Sequence, residues 1–275
     1  MEISELFFEF SNKGRIDVFR SIYQDGKKHS QIIKELDIPG SEISRHLKRL
    51  KIKNLIVKTK NNKYEVSNIG KIFYKIFEIF EVTIKHKSFF NSHDITSIPL
   101  YLFVELGNLK YLEMSDKTMQ NIELWSNLVK NSEEFIYAIS DQFQISILPI
   151  VERKIQKKSI EIKALINKNL LKSYNIPNEW ADQFVDASSF YKKLDIYENV
   201  KILEEINLSL IVSDKGGIIF LKKDKGIDYG ECLIDNHPNF INWCKNIFRH
   251  YWRKGTSIKP FISKELRSMQ INKER

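Results

Sequence analysis

Ile43-Ser44-Arg45-His46-Leu47-Lys48-Arg49-Leu50 is the stretch on which the reading of this chain turns. Ile43, Leu47 and Leu50 recur at helical spacing and share one face. Ser41, Glu42, Ser44, Arg45, Lys48 and Arg49 fall on the other. The pattern predicts a helix over residues 41–51. Asp37-Ile38-Pro39-Gly40 before it is a tight turn. Upstream of the turn, Ile32, Ile33 and Leu36 mark a shorter helix that Ser30 is placed to cap. Two short helices joined by such a turn make a helix-turn-helix, whose second helix can lie in the major groove and offer side chains to base edges. Further upstream, Leu6, Phe7, Phe10, Ile16, Phe19 and Ile22 predict helix over residues 4–20, with a break near residues 12–14.

Downstream of Leu55 the period changes from helical to alternating. Residues 56–60 and 63–67 read as two strands around Asn61-Asn62, a β-hairpin. Lys58, Lys60, Asn61, Asn62 and Lys63 cluster at its tip, where lysines can lie along phosphates without reading sequence.

The charge is uneven along the chain. The whole sequence of 275 residues carries +9, with 42% hydrophobic and 12% aromatic residues. That composition builds a core and excludes a disordered polybasic tail or a collagen-like repeat. Four Ala stand against about 40 Ile and many Lys and Asn, the skew of an AT-rich genome, so net charge alone says little about partners. Position says more. Between Ser41 and Lys63 eight bases face one acid, a net +7; from Arg253 onward seven bases face two acids, a net +5; the remainder sums to −3. Codon bias would have spread lysine evenly.

No apolar run reaches the length that crosses a membrane. The first residues, MEISELFFEF, carry acids where a secretory signal carries bases, which points to a cytoplasmic protein. Two cysteines build no disulfide scaffold and fit a reducing compartment.

The hairpin leads into a helix over residues 69–87 bearing Ile69, Ile72, Phe73, Ile76, Phe77, Ile79, Phe80 and Ile84. This apolar arc is too wide for a helix exposed on one side. It predicts either a dimer contact through Ile72, Phe73, Ile76 and Phe80 or packing between two domains.

The rest reads as α/β. A helix follows Ile98-Pro99 and ends at Gly107; a short strand near 110–114 and a helix near 117–130 come next. Strand 135–140, helix 147–157 and strand 160–166 with short joins make a βαβ unit and predict parallel strands. Residues 208–213 and 218–222 around Asp214-Lys215-Gly216-Gly217 read as a hairpin, 231–234 as a strand and 240–252 as a strongly apolar helix. The expected organisation is therefore α/β (α+β overall): a winged-helix domain over 1–68, a linker or dimerisation helix over 69–88, an α/β regulatory domain over 89–254 and a basic tail over 255–275.

Catalytic motifs are missing. The chain has no G-x-S-x-G, no P-loop and no G-x-G-x-x-G, and its one H-x-K, His46-Leu47-Lys48, has Lys53 where a phospholipase-D signature needs Asp. The expectation is no enzyme and no cofactor. Cys232, His237, Cys244 and His250 offer soft donors, yet no CxxC or HxxxH pair occurs. Cys244 shares an apolar helical face with Ile241, Ile247, Phe248 and Tyr251, so the reading is no metal site. A small-molecule effector, if sensed, belongs at the carboxyl ends of the parallel strands, near Ser140, Asp141, Asn167 and Lys168.

Ile43-Ser44-Arg45-His46-Leu47-Lys48-Arg49-Leu50, then Leu55-Ile56 and Tyr64-Glu65-Val66-Ser67-x-x-Gly70, resembles the winged-helix domain of ArsR-type transcriptional regulators over residues 4–85. Members often open the recognition helix with small polar residues where this chain has Pro39-Gly40, which leaves Ser41 as the alternative cap. His93-Asp94-x-x-x-Ile98-Pro99, the 135–166 block and Trp243-x-x-x-x-Phe248-x-x-Tyr251-Trp252 resemble the C-terminal domain of the archaeal methanogenesis-regulator (filament-regulator) family. The layout also looks like a phospholipase-D-like α/β domain without its catalytic motif. These resemblances imply a homodimeric, sequence-specific regulator that binds double-stranded DNA and senses a small molecule or partner. The alternatives are a winged helix that docks a protein and a degenerate phospholipase-D-like nucleic-acid enzyme.

Overall fold

The computed structural model describes residues 2–142, 144–156, 160–168, 170 and 196–260. The chain divides between Glu81 and Val82 into two compact units, and the fold is mixed helix and sheet.

The first unit holds helices α1 (Ile3–Glu9), α2 (Lys13–Ser21), α3 (His29–Glu35) and α4 (Gly40–Ile52). A small sheet follows, of β1 (Lys27–Lys28), β2 (Ile56–Lys58) and β3 (Lys63–Val66), and then α5 (Asn68–Lys85). The break near Asn12 is a cap: the Asn12 side chain accepts from the Arg15 amide at 3.0 Å and starts α2. Val18, Phe19, Ile22, Ile32, Ile43, Leu47, Leu50 and Leu55 close a single core, and Phe73, Tyr74 and Phe77 of α5 pack on it. Gly70 makes that packing possible, because a Cβ there would meet the Leu55 carbonyl oxygen at 2.2 Å.

Two helix starts differ from expectation. Ser30 lies inside α3, whose N-cap position is Lys28; the Gln31 side chain accepts from the Lys28 amide at 2.8 Å. Likewise Ser41 lies inside α4, whose N-cap position is Pro39, with no side-chain cap. Pro39 already holds the extended backbone that a cap needs, so the turn itself starts the helix. The strand β1 pairs antiparallel with β3 and had no counterpart in the sequence reading.

The second unit begins with the end of α5 and α6 (Lys87–Ser92). The helix expected after Pro99 is a 3-10 segment, Leu100–Asn108, and the next strand is β4 (Glu113–Ser115). Then come α7 (Thr118–Asn131), β5 (Phe135–Ser140), α8 (Leu148–Gln156), β6 (Glu161–Asn167), the one-turn α9 (Ile196–Asn199) and β7 (Val200–Leu203). The chain continues through β8 (Leu208–Ser213), β9 (Gly216–Lys223), β10 (Gly226–Ile227), β11 (Cys232–Asp235), α10 (Pro238–Lys254) and β12 (Thr256–Ser257). Among the described residues the sheet order is β12-β7-β6-β5-β8-β9-β11-β4, with β10 on β9. β5, β6 and β7 are parallel; β8 runs antiparallel to both β5 and β9.

Strand β8 is buried at every position, the signature of a central strand covered on both faces. On one face Leu124, Trp125, Leu128, Ile150 and Val151 of α7 and α8 cover Ile136, Ile211, Ile218 and Phe220. On the other, α10 seats Phe240, Trp243, Cys244, Ile247 and Phe248, and the Trp243 indole donates to the Leu102 carbonyl at 3.0 Å. The β8–β9 turn ends at Gly216, whose φ of +150° suits glycine. The segment expected as a tail starts as structure: Thr256 and Ser257 pair with Ile202 and Lys201, and Ile258 is buried. Its basic residues beyond position 260 lie outside the described residues.

Candidate nucleic-acid interface

Helix α4 sorts its residues cleanly. Ile43, His46, Leu47 and Leu50 are buried, while Ser41, Ser44, Arg45 and Lys48 are exposed at i, i+3, i+4 and i+7, a single stripe. The stripe mixes hydroxyls with bases. Ser44 Oγ donates to the Gly40 carbonyl at 2.9 Å and lies 2.8 Å from His29 Nε2. Arg45 Nη2 donates to Glu42 Oε1 at 3.0 Å, which orients the guanidinium while leaving most of it in solvent.

Arg49 sits differently from its neighbours on the helix. Its Nε and Nη2 donate to the two oxygens of Glu9 at 2.9 and 2.7 Å, a bidentate pair, and Arg15 Nη1 donates to the same carboxylate at 2.6 Å. Glu9 and Arg15 are buried. The hydrogen bonds from Arg49 hold the Glu9 carboxyl below the usual carboxylate range against the opposing effect of burial. Arg49 is thus a brace that ties α4 to α1, across 40 residues of sequence, rather than a free contact.

Under the stripe, His46 is buried, and among the described residues neither ring nitrogen has a hydrogen-bond partner. Burial lowers its pKa, and the charge on Arg15 pushes the same way.

The wing is a tight hairpin. The Thr59 amide donates to the Lys63 carbonyl at 2.8 Å and the Asn62 amide to the Thr59 carbonyl at 3.1 Å, with Asn62 at φ 58°. Lys60, Asn61 and Asn62 form the exposed tip; Lys58 lies 5.6 Å from the Tyr64 ring centroid. The sheet register sets Lys28 opposite Lys63. Lys28 and His29 therefore join this surface, and the sequence reading missed them because a two-residue strand leaves no alternation to see.

Of the residues expected at a dimer contact, Ile72 (63% exposed), Ile76 and Phe80 (41%) are exposed, and with Ile69 they form a stripe along α5. Phe73 is turned into the winged-helix core instead. Its spacing one residue from Ile72 puts it about 100° around the helix.

In the second unit the parallel register sets Ser140 beside Ile166, next to Asn167. Ser140 Oγ donates to the Gln142 carbonyl at 2.7 Å, Asp141 accepts from the Tyr229 hydroxyl, and Lys168 lies 3.8 Å from Glu204. A cavity of about 630 Å3 opens elsewhere, walled by Tyr111, Glu113, Leu124, Lys215, Asp235 and His237. Asp235 Oδ2 is buried there without a hydrogen-bond partner among the described residues.

The expected metal donors are dispersed. Cys232 and Cys244 are buried free thiols, burial raising the first to about 12. His237 caps α10, its Nδ1 accepting from the Asn239 amide at 3.2 Å, and His250 faces the Tyr101 ring. Among the described residues no three His, Cys, Asp or Glu gather as a metal set, and no helix is long and apolar enough to cross a membrane.

No protein-family model matches the chain, and no curated protein matches it. Among solved structures, one of TrmBL2, described as an archaeal chromatin protein with a novel mode of DNA binding, is similar at 12% identity. That match covers 89% of this chain and 93% of that one, with a TM-score of 0.39. A phosphatidylserine synthase from Haemophilus influenzae is similar at 15% identity over 46% of this chain and 33% of that one, with a TM-score of 0.32. At these scores the functional reading rests on this chain's own residues.

Proposed function

We propose that the chain is a DNA-binding transcription regulator. Helix α4 enters the major groove of duplex DNA, Ser41, Ser44, Arg45 and Lys48 meet base edges, and the wing lysines lie along the phosphates. The observation that carries this reading is the exposed i, i+3, i+4, i+7 stripe on a helix whose opposite face is wholly buried, beside a hairpin tipped with Lys58, Lys60 and Lys63. The regulator acts without catalysis. It works as a homodimer joined through Ile69, Ile72, Ile76 and Phe80 of α5, a two-fold arrangement suited to a palindromic site. A small molecule held in the cavity by Glu113, Lys215 and Asp235 would bias one dimer geometry over another.

The test is a salt titration of duplex affinity by fluorescence anisotropy on the full chain. Replacing Lys58, Lys60 and Lys63 by Ala lowers the slope of log affinity against log salt by about 2–3, at roughly 0.9 per lost phosphate contact. An unchanged slope and affinity would sink the reading. Native mass spectrometry checks the dimer: Phe80→Lys yields monomer where the wild type is paired.

A further inference from the structure

Helix α10 carries Lys245, Arg249, Arg253 and Lys254 and no Asp or Glu. Lys245, Arg249 and Arg253 follow one another at four-residue steps, so they form one stripe opposite the buried face of Phe240, Trp243, Ile247 and Phe248. Arg253 and Lys254 sit in the last turn, where bases complement the helix dipole. Lys245 and Arg249 lie in the middle of the helix, where the dipole gives no reason for them.

The sheet beside α10 continues the stripe. The register sets Tyr137 of β5 opposite Lys163 of β6, and Leu165 of β6 opposite Lys201 of β7, so both lysines lie on the face that α10 covers in part. The lysines are seated on aromatic rings. Lys245 Nζ is 4.2 Å from the Phe135 centroid, Lys163 Nζ 5.9 Å from that of Tyr137 and Lys201 Nζ 4.7 Å from that of Trp252. The nearby carboxylates are taken: Glu161 accepts from the Tyr137 hydroxyl at 2.5 Å and from Lys163, and Glu198 pairs with Lys259. Lys163 is therefore matched by Glu161 and Lys201 donates to the Trp252 carbonyl at 3.0 Å, so the outward positive charge of the face rests chiefly on Lys245, Arg249 and Arg253.

We propose that this face is a second contact for the phosphate backbone of duplex DNA, an extension that rests on the reading of the first unit as a DNA-binding module. The stripe spans about 12 Å along the helix axis, three to four phosphate steps of one strand at about 3.4 Å each. Arg and Lys can also read guanine edges, but here Arg249 is engaged by Asn246 at 3.2 Å, and Lys245, Lys163 and Lys201 are held against rings. A single strand would need open rings on which to stack its bases. Phe135 and Tyr137 are 8% and 9% exposed, and Trp252 is covered by Lys201 and Lys163. Contact with a duplex backbone is the chemistry that remains.

The experiment is a salt titration of the full chain on a random-sequence duplex and on a single strand of equal length. Lys245→Gln, Arg249→Gln and Arg253→Gln together lower the duplex salt slope by about 2–3, and the charge-keeping set Lys245→Arg, Arg249→Lys and Arg253→Lys restores it. Arg249→Glu with Arg253→Glu, both at exposed positions, gives the same direction without disturbing the packing under Lys245. A wild-type slope in the Gln and Glu variants overturns the proposal, as does a loss confined to the single strand. If these variants keep the slope while the wing variants lose it, the second contact fails and the winged-helix reading stands; the reverse result sinks the winged-helix reading alone.

Discussion

Helices α4 and α10 are built alike and finished differently. Each buries one apolar face completely, Ile43, Leu47 and Leu50 in one, Phe240, Trp243 and Ile247 in the other, and each turns bases outward. On α4 the bases alternate with Ser41 and Ser44, and carboxylates position two of them: Glu42 holds Arg45 and Glu9 holds Arg49. On α10 no acid intervenes, and Lys245 and Lys254 rest on rings. A patterned set of donors and acceptors at fixed positions can discriminate bases, whereas charge without pattern can only hold a backbone. The two faces therefore predict different responses to sequence and to salt.

The largest expected effect tests whether each helix is anchored within its own unit. Trp243→Ala removes a fully buried indole and its hydrogen bond to Leu102, and costs the second unit about 3–5 kcal/mol. Urea denaturation should show that transition moving while the transition of the first unit stays. Next, Glu9→Gln leaves the buried Arg15 guanidinium without its counter-charge and destabilises the first unit by about 3 kcal/mol. A thermal melt reads it, and no change in melting temperature would mean that α4 needs no brace. Third, Arg45→Ala weakens a preferred duplex by about 1–3 kcal/mol and a random one hardly at all. In the anisotropy assay a uniform loss would reduce α4 to a charge face like that of α10.

The smallest effect is the pH dependence of the first unit. Burial lowers the His46 pKa from its usual 6.5, so the unfolded chain takes up the proton first. The stability tied to the neutral ring is complete above pH 6.5 and is lost as pH falls through the lower folded-state value. His46→Leu should flatten that decline when denaturation is compared at pH 7.5 and 5.5. Glu9 is also lowered, from 4.5, so its contribution persists until pH drops below that range, and the two losses separate.

Local pattern made α4, the wing and the βαβ block readable. Ile43, Leu47 and Leu50 recur within two turns of helix, and residues 135–140 appear as a strand with the same bounds in the structure. What escaped was set by distant partners. Nothing near Arg49 in sequence announces Glu9, 40 residues away, and nothing near Lys28 announces Lys63. Phe73 has the same chemistry as its neighbours on α5, and only its packing on the core of the first unit shows which way it faces. The apolar pattern ends at Trp252, whereas α10 runs two residues further and carries Arg253 and Lys254, two of the seven bases counted from Arg253 onward. Once α10 runs to Lys254, Arg253 joins Lys245 and Arg249 on one stripe.

Selection of duplexes from a randomised pool by the full chain tests most directly whether α4 reads bases. A preferred sequence should emerge, change when Ser44 and Arg45 are replaced by Ala, and persist when Lys245, Arg249 and Arg253 are replaced by Gln. A pool that stays random, or a preference indifferent to Ser44 and Arg45, would contradict the account.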